Sequence, residues 1–175
     1  WIESATNAAL DFGLTVEEAD AVAGKPMGFP KTGIFGLMDL VGIDLGPHVA
    51  ASLLATLPAD DPYRALHRDL PLVRQMIESG LTGRKGKGGF YRIEKGEGGR
   101  GKLAIDLATG EYRKAAKASL ASLDASKAAR GEDGLPSRDY FNRGRDEWLR
   151  ITHDEAAGIF FFNDTATTEI YTGEK

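Results

Sequence analysis

The 175-residue sequence contains no cysteine, which rules out a disulfide frame, a thiol nucleophile and a thiolate metal site and fits a reducing compartment. It has only three histidines, His48, His67 and His153. None stands at triad or metal-ligand spacing from a Ser, an Asp or a second His, so they read as surface or capping residues. No apolar run approaches the roughly 20 residues of a membrane-spanning helix, and the amino terminus lacks a basic, signal-like segment. The net charge of -4 exerts no whole-chain pull on nucleic acid or an anionic surface. These absences predict a soluble, cytoplasmic protein with no nucleic-acid partner and no membrane span. An initiator methionine is also missing: Trp1-Ile2 opens within a helical pattern with no cap of its own, which predicts a cut chain.

Helical periodicity is what the first half of the chain has in abundance. Trp1, Ile2, Ala5, Ala8, Ala9 and Phe12 share one face, and Gly13 ends the helix. Thr15-Val16-Glu17-Glu18 is a capping box ahead of a helix with Ala19, Val22 and Ala23 inward. A Pro/Gly-rich loop from Gly24 to Gly33 follows, irregular yet stiffened by Pro26 and Pro30. Thr32 is then placed to cap a helix with Ile34, Leu37, Met38 and Val41 on its apolar face, stopped by Gly42. Pro47 suits a first helical position, with Val49, Leu53, Leu54 and Leu57 inward. Beyond a turn at Pro58–Pro62, Asp69 is placed to cap a helix through Leu72, Val73, Met76 and Ile77, closed by Gly80.

Glycine and lysine dominate from Gly83 to Gly101, interrupted by Phe90-Tyr91-Arg92-Ile93, which is either a short strand or an extended segment on the bundle. Leu103–Leu107 and Tyr112 flank a hairpin turn, and Ala115–Leu123 suits a surface helix. The run Gly96 to Gly101 satisfies G-x-G-x-x-G, but no buried strand precedes it and no long helix follows, so it reads as a decoy for dinucleotide binding. Residues 163–172 resemble an in-frame translation of a sequencing adapter, after a Phe160–Phe162 run. On that reading 128–175 is an artefactual or disordered tail; the alternative is a natural Thr-rich tail.

The segments Lys25-Pro26-Met27-Gly28 through Asp39-Leu40-Val41-Gly42-Ile43-Asp44, and Gly83-Arg84-Lys85-Gly86-Lys87-Gly88-Gly89-Phe90-Tyr91, occur in order and at fitting separation. Together they resemble the C-terminal helical domain of the 3-hydroxyacyl-CoA dehydrogenases. The family's "P-M-G-P-F-x-L-x-D-x-V-G-L-D" and "G-R-K-T-G-K-G-F-Y" segments bracket that domain. Two departures, the inserted Phe29-Pro30-Lys31-Thr32-Gly33 and Gly86 directly after Lys85, resemble the longer, fused members that also carry an enoyl-CoA hydratase part.

The resemblance implies a mainly α fold, a helical bundle of the 6-phosphogluconate dehydrogenase C-terminal-like type, with a Gly/Lys-rich loop and a small hairpin after it. It implies a helical domain over 1–93, a linker with hairpin and short helix over 94–127, and the tail over 128–175. Its function would be that of a fragment of an NAD-dependent (S)-3-hydroxyacyl-CoA dehydrogenase of fatty-acid β-oxidation, closing over acyl-CoA and forming a homodimer. The alternative is a non-catalytic helical oligomerisation or interaction module. In the family a His acts as base, a Glu orients it and hydride passes to NAD, all in a nucleotide-binding domain that would lie upstream of Trp1. The family's Asn-Arg pair would also precede Trp1, since Asn7 is followed by Ala8. No catalytic residue and no NAD binding are therefore expected of this chain. Pro26, Met27, Gly28 and Phe29 are candidates to line the acyl channel, or else to pack the core. Lys85 and Lys87 are candidates for the phosphates of coenzyme A, or else belong to a solvated loop. Asp39, matching the family's Asp, is expected to bond backbone amides or a basic side chain of its own domain, because an unpaired buried carboxylate is costly.

Overall fold

The computed structural model describes residues 1–27, 29–96, 99–121 and 123–124. Gly28, the tail over 128–175 and the adapter-like segment lie outside the described residues.

The chain opens with α1 (Ile2–Asp11) and α2 (Val16–Val22), linked by a tight stop. Gly13, at φ 63, lets its own N–H reach Leu10 O while Leu14 N–H reaches Ala9 O, the paired bonds of a Schellman stop. The expected capping box is present: Glu18 N–H donates to Thr15 Oγ1 at 3.2 Å, and Thr15 N–H donates to the Glu18 carboxylate at 3.0 Å. A 3-10 turn at Lys25–Met27 leads to α3 (Gly33–Val41), α4 (Leu45–Thr56), the single turn α5 (Tyr63–Leu66) and α6 (Pro71–Glu78). Three strands then form an antiparallel meander, β1 (Tyr91–Gly96), β2 (Gly99–Ile105) and β3 (Tyr112–Lys114), in spatial order β1-β2-β3.

Small residues set the packing. Ala5, Ala8 and Ala9 of α1 and Ala19 of α2 are buried, which lets these helices approach the large side chains of the core. Phe35 and Phe90 meet at its centre, both essentially inaccessible, with ring centroids 4.6 Å apart and tilted by 54°. Such a pair adds about 1 kcal/mol to what burial of the two rings contributes. Ala104 and Ile105 of β2 complete the same core, so the sheet packs on the helices rather than trailing behind them.

Five local expectations change. Thr32 does not cap α3; the Asp20 carboxylate of α2 does so instead, accepting Phe35 N–H at 2.7 Å and Gly36 N–H at 3.1 Å. The buried face of α3 is Ile34, Phe35 and Asp39, whereas Val41 is half exposed, because the helix is rotated to put Phe35 on Phe90. The helix α4 starts two residues before Pro47 and buries only Ala50; Pro47 still falls in the first turn, where its missing N–H costs nothing. Asp69 leaves α6 uncapped and instead pairs with Arg74 at 2.6 Å, while Pro71 starts the helix. At its other end Gly80 closes α6 as expected, at φ 77, with a second Schellman stop through Leu81 N–H and Met76 O. The stretch 115–120 after β3 is irregular rather than helical, and helix resumes only at residue 121.

Candidate functional site

The two glycine-rich segments singled out in the sequence meet in space. The Asp39 carboxylate, buried in the last turn of α3, accepts Phe90 N–H on one oxygen and Tyr91 N–H on the other, each at 2.8 Å. Asp39 O in turn accepts Arg84 N–H at 2.8 Å. This is the amide-binding role expected of Asp39. Burial raises its pKa, and the two amide bonds and the charge of Arg84 act against that rise. Gly83 and Gly89 make the approach possible: a Cβ on Gly89 would strike the Asp39 carboxylate, and one on Gly83, held at φ 95, would strike the Asp39 carbonyl.

A second carboxylate reinforces the junction. Besides capping α3, Asp20 accepts the Tyr91 hydroxyl at 2.9 Å, so α2, α3 and β1 converge on one side chain. Burial pushes its pKa up to about 6 despite those three donors. The Tyr91 hydroxyl is pushed up as well, first by burial and then by the adjacent Asp20 charge. The Lys102 ammonium sits 3.6 Å from the centre of the Tyr91 ring.

Of the six candidate binding residues, Pro26 is buried and Met27 partly buried against the core. Gly28 lies outside the described residues. Phe29 stacks on Trp1, with ring centroids 4.1 Å apart and planes within 17°. Lys85 is exposed but pinned across the loop to Asp44 at 2.7 Å. Lys87 is exposed, and its side chain runs beside Gly80.

A cavity of about 250 Å³ opens among α1, α3, α4 and α6, and none of the described candidates lines it. Its walls include Ile2, Met38, Ala50, Leu54 and Val73, and its polar end holds Glu3, Thr6, Asn7 and His67. Glu3 Oε1 accepts the Tyr63 hydroxyl at 2.8 Å and faces His67 Nδ1 at 3.2 Å. Asn7 donates to Leu66 O at 2.8 Å. Sequence reading missed this group because Glu3 and His67 are 64 positions apart, with no local pattern to join them.

A core of short helices with a glycine-rich return bonded to α3 is a helical domain in which a buried carboxylate joins two distant backbone segments. The chain belongs to the family of the 3-hydroxyacyl-CoA dehydrogenase C-terminal domain, whose model matches residues 1–93. It is 47% identical over 81 residues to a putative fatty acid oxidation complex trifunctional enzyme of Rickettsia felis, covering 46% of this chain and 11% of that protein. It is 34% identical over 119 residues to the protein of the same description in Rickettsia prowazekii, covering 68% of this chain and 16% of the relative. It is 29% identical to a probable 3-hydroxyacyl-CoA dehydrogenase of Bacillus subtilis over 162 residues, 93% of this chain and 18% of that protein. The chain thus spans between about a tenth and a fifth of the length of these curated relatives. No solved structure matches it.

Proposed function

We propose that this chain is the helical part of an NAD-dependent (S)-3-hydroxyacyl-CoA dehydrogenase of fatty-acid β-oxidation, working in the cytoplasm beside a nucleotide-binding domain. The observation that carries the reading is the junction at Asp39, which joins the family's two marker segments through the amides of Phe90 and Tyr91. In this reading Pro26, Met27, Gly28 and Phe29 border the acyl chain, and Lys85 and Lys87 meet the phosphates of coenzyme A. Support comes from the exposure of both lysines on one turn and from the stiff Pro/Gly path of the loop. The domain unit is 1–93, with 94–127 attached to it and 128–175 a tail.

NAD belongs to the partner domain. The G-x-G-x-x-G run supports this division of labour: Gly96 and Gly99 pair across an antiparallel hairpin, so no helix N-terminus follows these glycines to receive a pyrophosphate. This chain's residues therefore bind and enclose the acyl-CoA, exclude water and hold the domain interface. The half-exposed side chains Leu40, Val41, Leu45 and Val49 support a homodimer through the α3–α4 corner. They are also the observation that favours the second reading, a helical oligomerisation module.

Calorimetric titration of the chain with coenzyme A tests the assignment. Binding is expected, weakened about tenfold in the Lys85→Ala/Lys87→Ala double variant. The chain alone should oxidise no NADH with acetoacetyl-CoA. Coenzyme A affinity unchanged in the double variant would remove the lysines from the site, and NADH turnover would overturn the division of labour.

A further inference from the structure

The three-stranded sheet ends in an open edge. Its spatial order is β1-β2-β3, so among the described residues β1 has a neighbouring strand on one side only. Phe90 O accepts Ile105 N–H at 2.8 Å, which fixes the alternation of the ladder: Phe90, Arg92 and Glu94 turn their backbone groups toward β2, and Tyr91, Ile93 and Lys95 turn theirs away. Tyr91 is already served on that outer side, its N–H donating to Asp39 at 2.8 Å and its carbonyl accepting Gly89 N–H at 3.1 Å. The outward N–H and C=O of Ile93 have no hydrogen-bond partner among the described residues. The Ile93 side chain is 61% exposed. A strand edge with unpaired backbone groups is a template for one more strand.

Charge decides what fits there. Residues 84–117 hold ten Lys and Arg against four Asp and Glu, although the whole chain is net negative. Ile93 stands opposite Lys102 in the register, so the two share one face with Arg100, and both cations are exposed. Lys102 lies over the Tyr91 ring and its charge reaches Asp20, whereas Arg100 has no ion pair among the described residues. Glu94 belongs to the other face, 3.7 Å from Arg92. A second copy of this strand would bring two such cationic faces together, and like charges across a pairing are unfavourable. A nucleic acid finds no stacking platform, because Tyr91 and Tyr112 pack on the core and each carries a cation over its ring. A lipid surface offers no strand to pair. We propose that β1 is a docking edge for an extended acidic segment of another protein. The segment adds as a fourth strand, bonds to the Ile93 backbone, lays an apolar side chain on Ile93 and sets its carboxylates beside Arg100 and Lys102. The inference is independent of the coenzyme A reading, since it uses neither Lys85 nor Lys87.

The test uses the 175-residue chain and a fluorescein-labelled peptide, Glu-Thr-Val-Thr-Glu-Thr, which alternates acidic and apolar positions on one face. Fluorescence anisotropy reads binding, and hydrogen exchange followed by NMR reads the Ile93 amide. The acidic peptide should bind at least about tenfold more tightly than its counterpart with Lys in place of Glu, and Arg100→Glu should weaken it about fivefold. Bound peptide should slow exchange of the Ile93 amide at least about tenfold, because that N–H is now paired. Ile93→Pro removes an N–H that bonds nothing within the free chain, on an edge where proline is tolerated, and should weaken the peptide about tenfold. Should Ile93→Pro fail to fold, the exchange of the parent's Ile93 amide decides alone. Peptide binding that leaves this amide unprotected would overturn strand addition. No binding of the acidic peptide at about 1 mM would overturn the docking edge. An oligothymidylate or phosphatidylglycerol vesicles bound more tightly than the peptide, with the Ile93 amide still exchanging freely, would overturn the choice of partner.

Discussion

Asp39 and Phe90 lie 51 positions apart in sequence, yet the carboxylate of one accepts the amide of the other at 2.8 Å in a fully buried bond. Tyr91 N–H completes the pair at the second oxygen. Removing the carboxylate strands two donors, one of them buried, so Asp39→Ala should cost about 3 kcal/mol of unfolding free energy. Asp39→Asn should cost somewhat less, because the amide oxygen still accepts one N–H while its NH₂ opposes the other. Urea denaturation of the two variants gives the order, and an Asp39→Ala variant as stable as the parent would mean that the junction adds nothing.

Gly89 tests the same junction from the other side. A methyl group there would collide with the Asp39 carboxylate at the point where backbone and side chain are bonded. Gly89→Ala should therefore destabilise the chain by about as much as deleting the carboxylate, whereas Gly46→Ala, whose Cβ meets nothing within 4 Å, should be neutral or mildly stabilising. The two substitutions add the same atoms, so comparing their thermal midpoints isolates the close approach.

Asp20 makes stability depend on pH in a direction opposite to that of most paired carboxylates. Its folded pKa of about 6 lies above the ordinary 3.8, so between those values the folded chain holds more proton than the unfolded one. Stability from this group is full below about pH 4 and declines as pH rises through 6, by about 3 kcal/mol in all. Glu17 and Asp106, both held below the usual carboxylate range by hydrogen bonds, pull the other way at low pH. Comparison with Asp20→Asn separates the contributions: the stability gap between parent and variant should change by roughly 2–3 kcal/mol between pH 4 and pH 7. A pH-independent gap would refute the shift.

What the sequence made legible was what local chemistry decides. Thr15 and Glu18 sit three residues apart and cap each other; Gly13 and Gly80 supply the positive φ that a helix stop needs; Asp39 stands out because a carboxylate on an apolar helix must find partners. What stayed hidden depends on distant residues. Asp20 caps a helix that begins 13 positions later (Asp20 to Gly33), and no local window favours it over Thr32. The face of α3 is turned by Phe90, and Leu53, Leu54 and Leu57 are only half-buried although they follow a helical period. The β1–β2 pairing has no clear signal in the sequence, because Gly96, Gly99 and Gly101 interrupt the alternation that marks a strand.

The sheet should matter to the helices as much as the helices matter to it. Arg113 grips the Glu17 carboxylate with both guanidinium nitrogens, at 2.8 and 2.7 Å, and Ala116 N–H adds a third bond to it at 2.8 Å. Glu17 is buried, so this pair carries more weight than exposed ones such as Arg74–Asp69. Arg113→Ala should cost about 2 kcal/mol, and Arg74→Ala less than about 0.5. Truncation after residue 93, where the family match ends, also removes Ala104 and Ile105 from the core. The shortened chain should expose that core, bind a hydrophobic dye and unfold at lower denaturant than the longer one. Equal midpoints would mean that the strands are only an appendage.

The exposed corner of α3 and α4 makes the opposite prediction, of substitutions without a folding cost. Leu40, Val41, Leu45 and Val49 each keep between 46% and 52% of their surface open to solvent, so placing a charge there removes little buried area. Leu40→Lys combined with Val49→Lys should leave the thermal midpoint within a few degrees of the parent, because exposed substitutions cost within about 0.5 kcal/mol each. If the corner is the dimer contact, the same pair of charges, desolvated and repelling their copies across a two-fold axis, should lower self-association at least about tenfold. Sedimentation velocity of parent and double variant decides between them. A parent that is already monomeric at high concentration would leave the corner without a role in assembly.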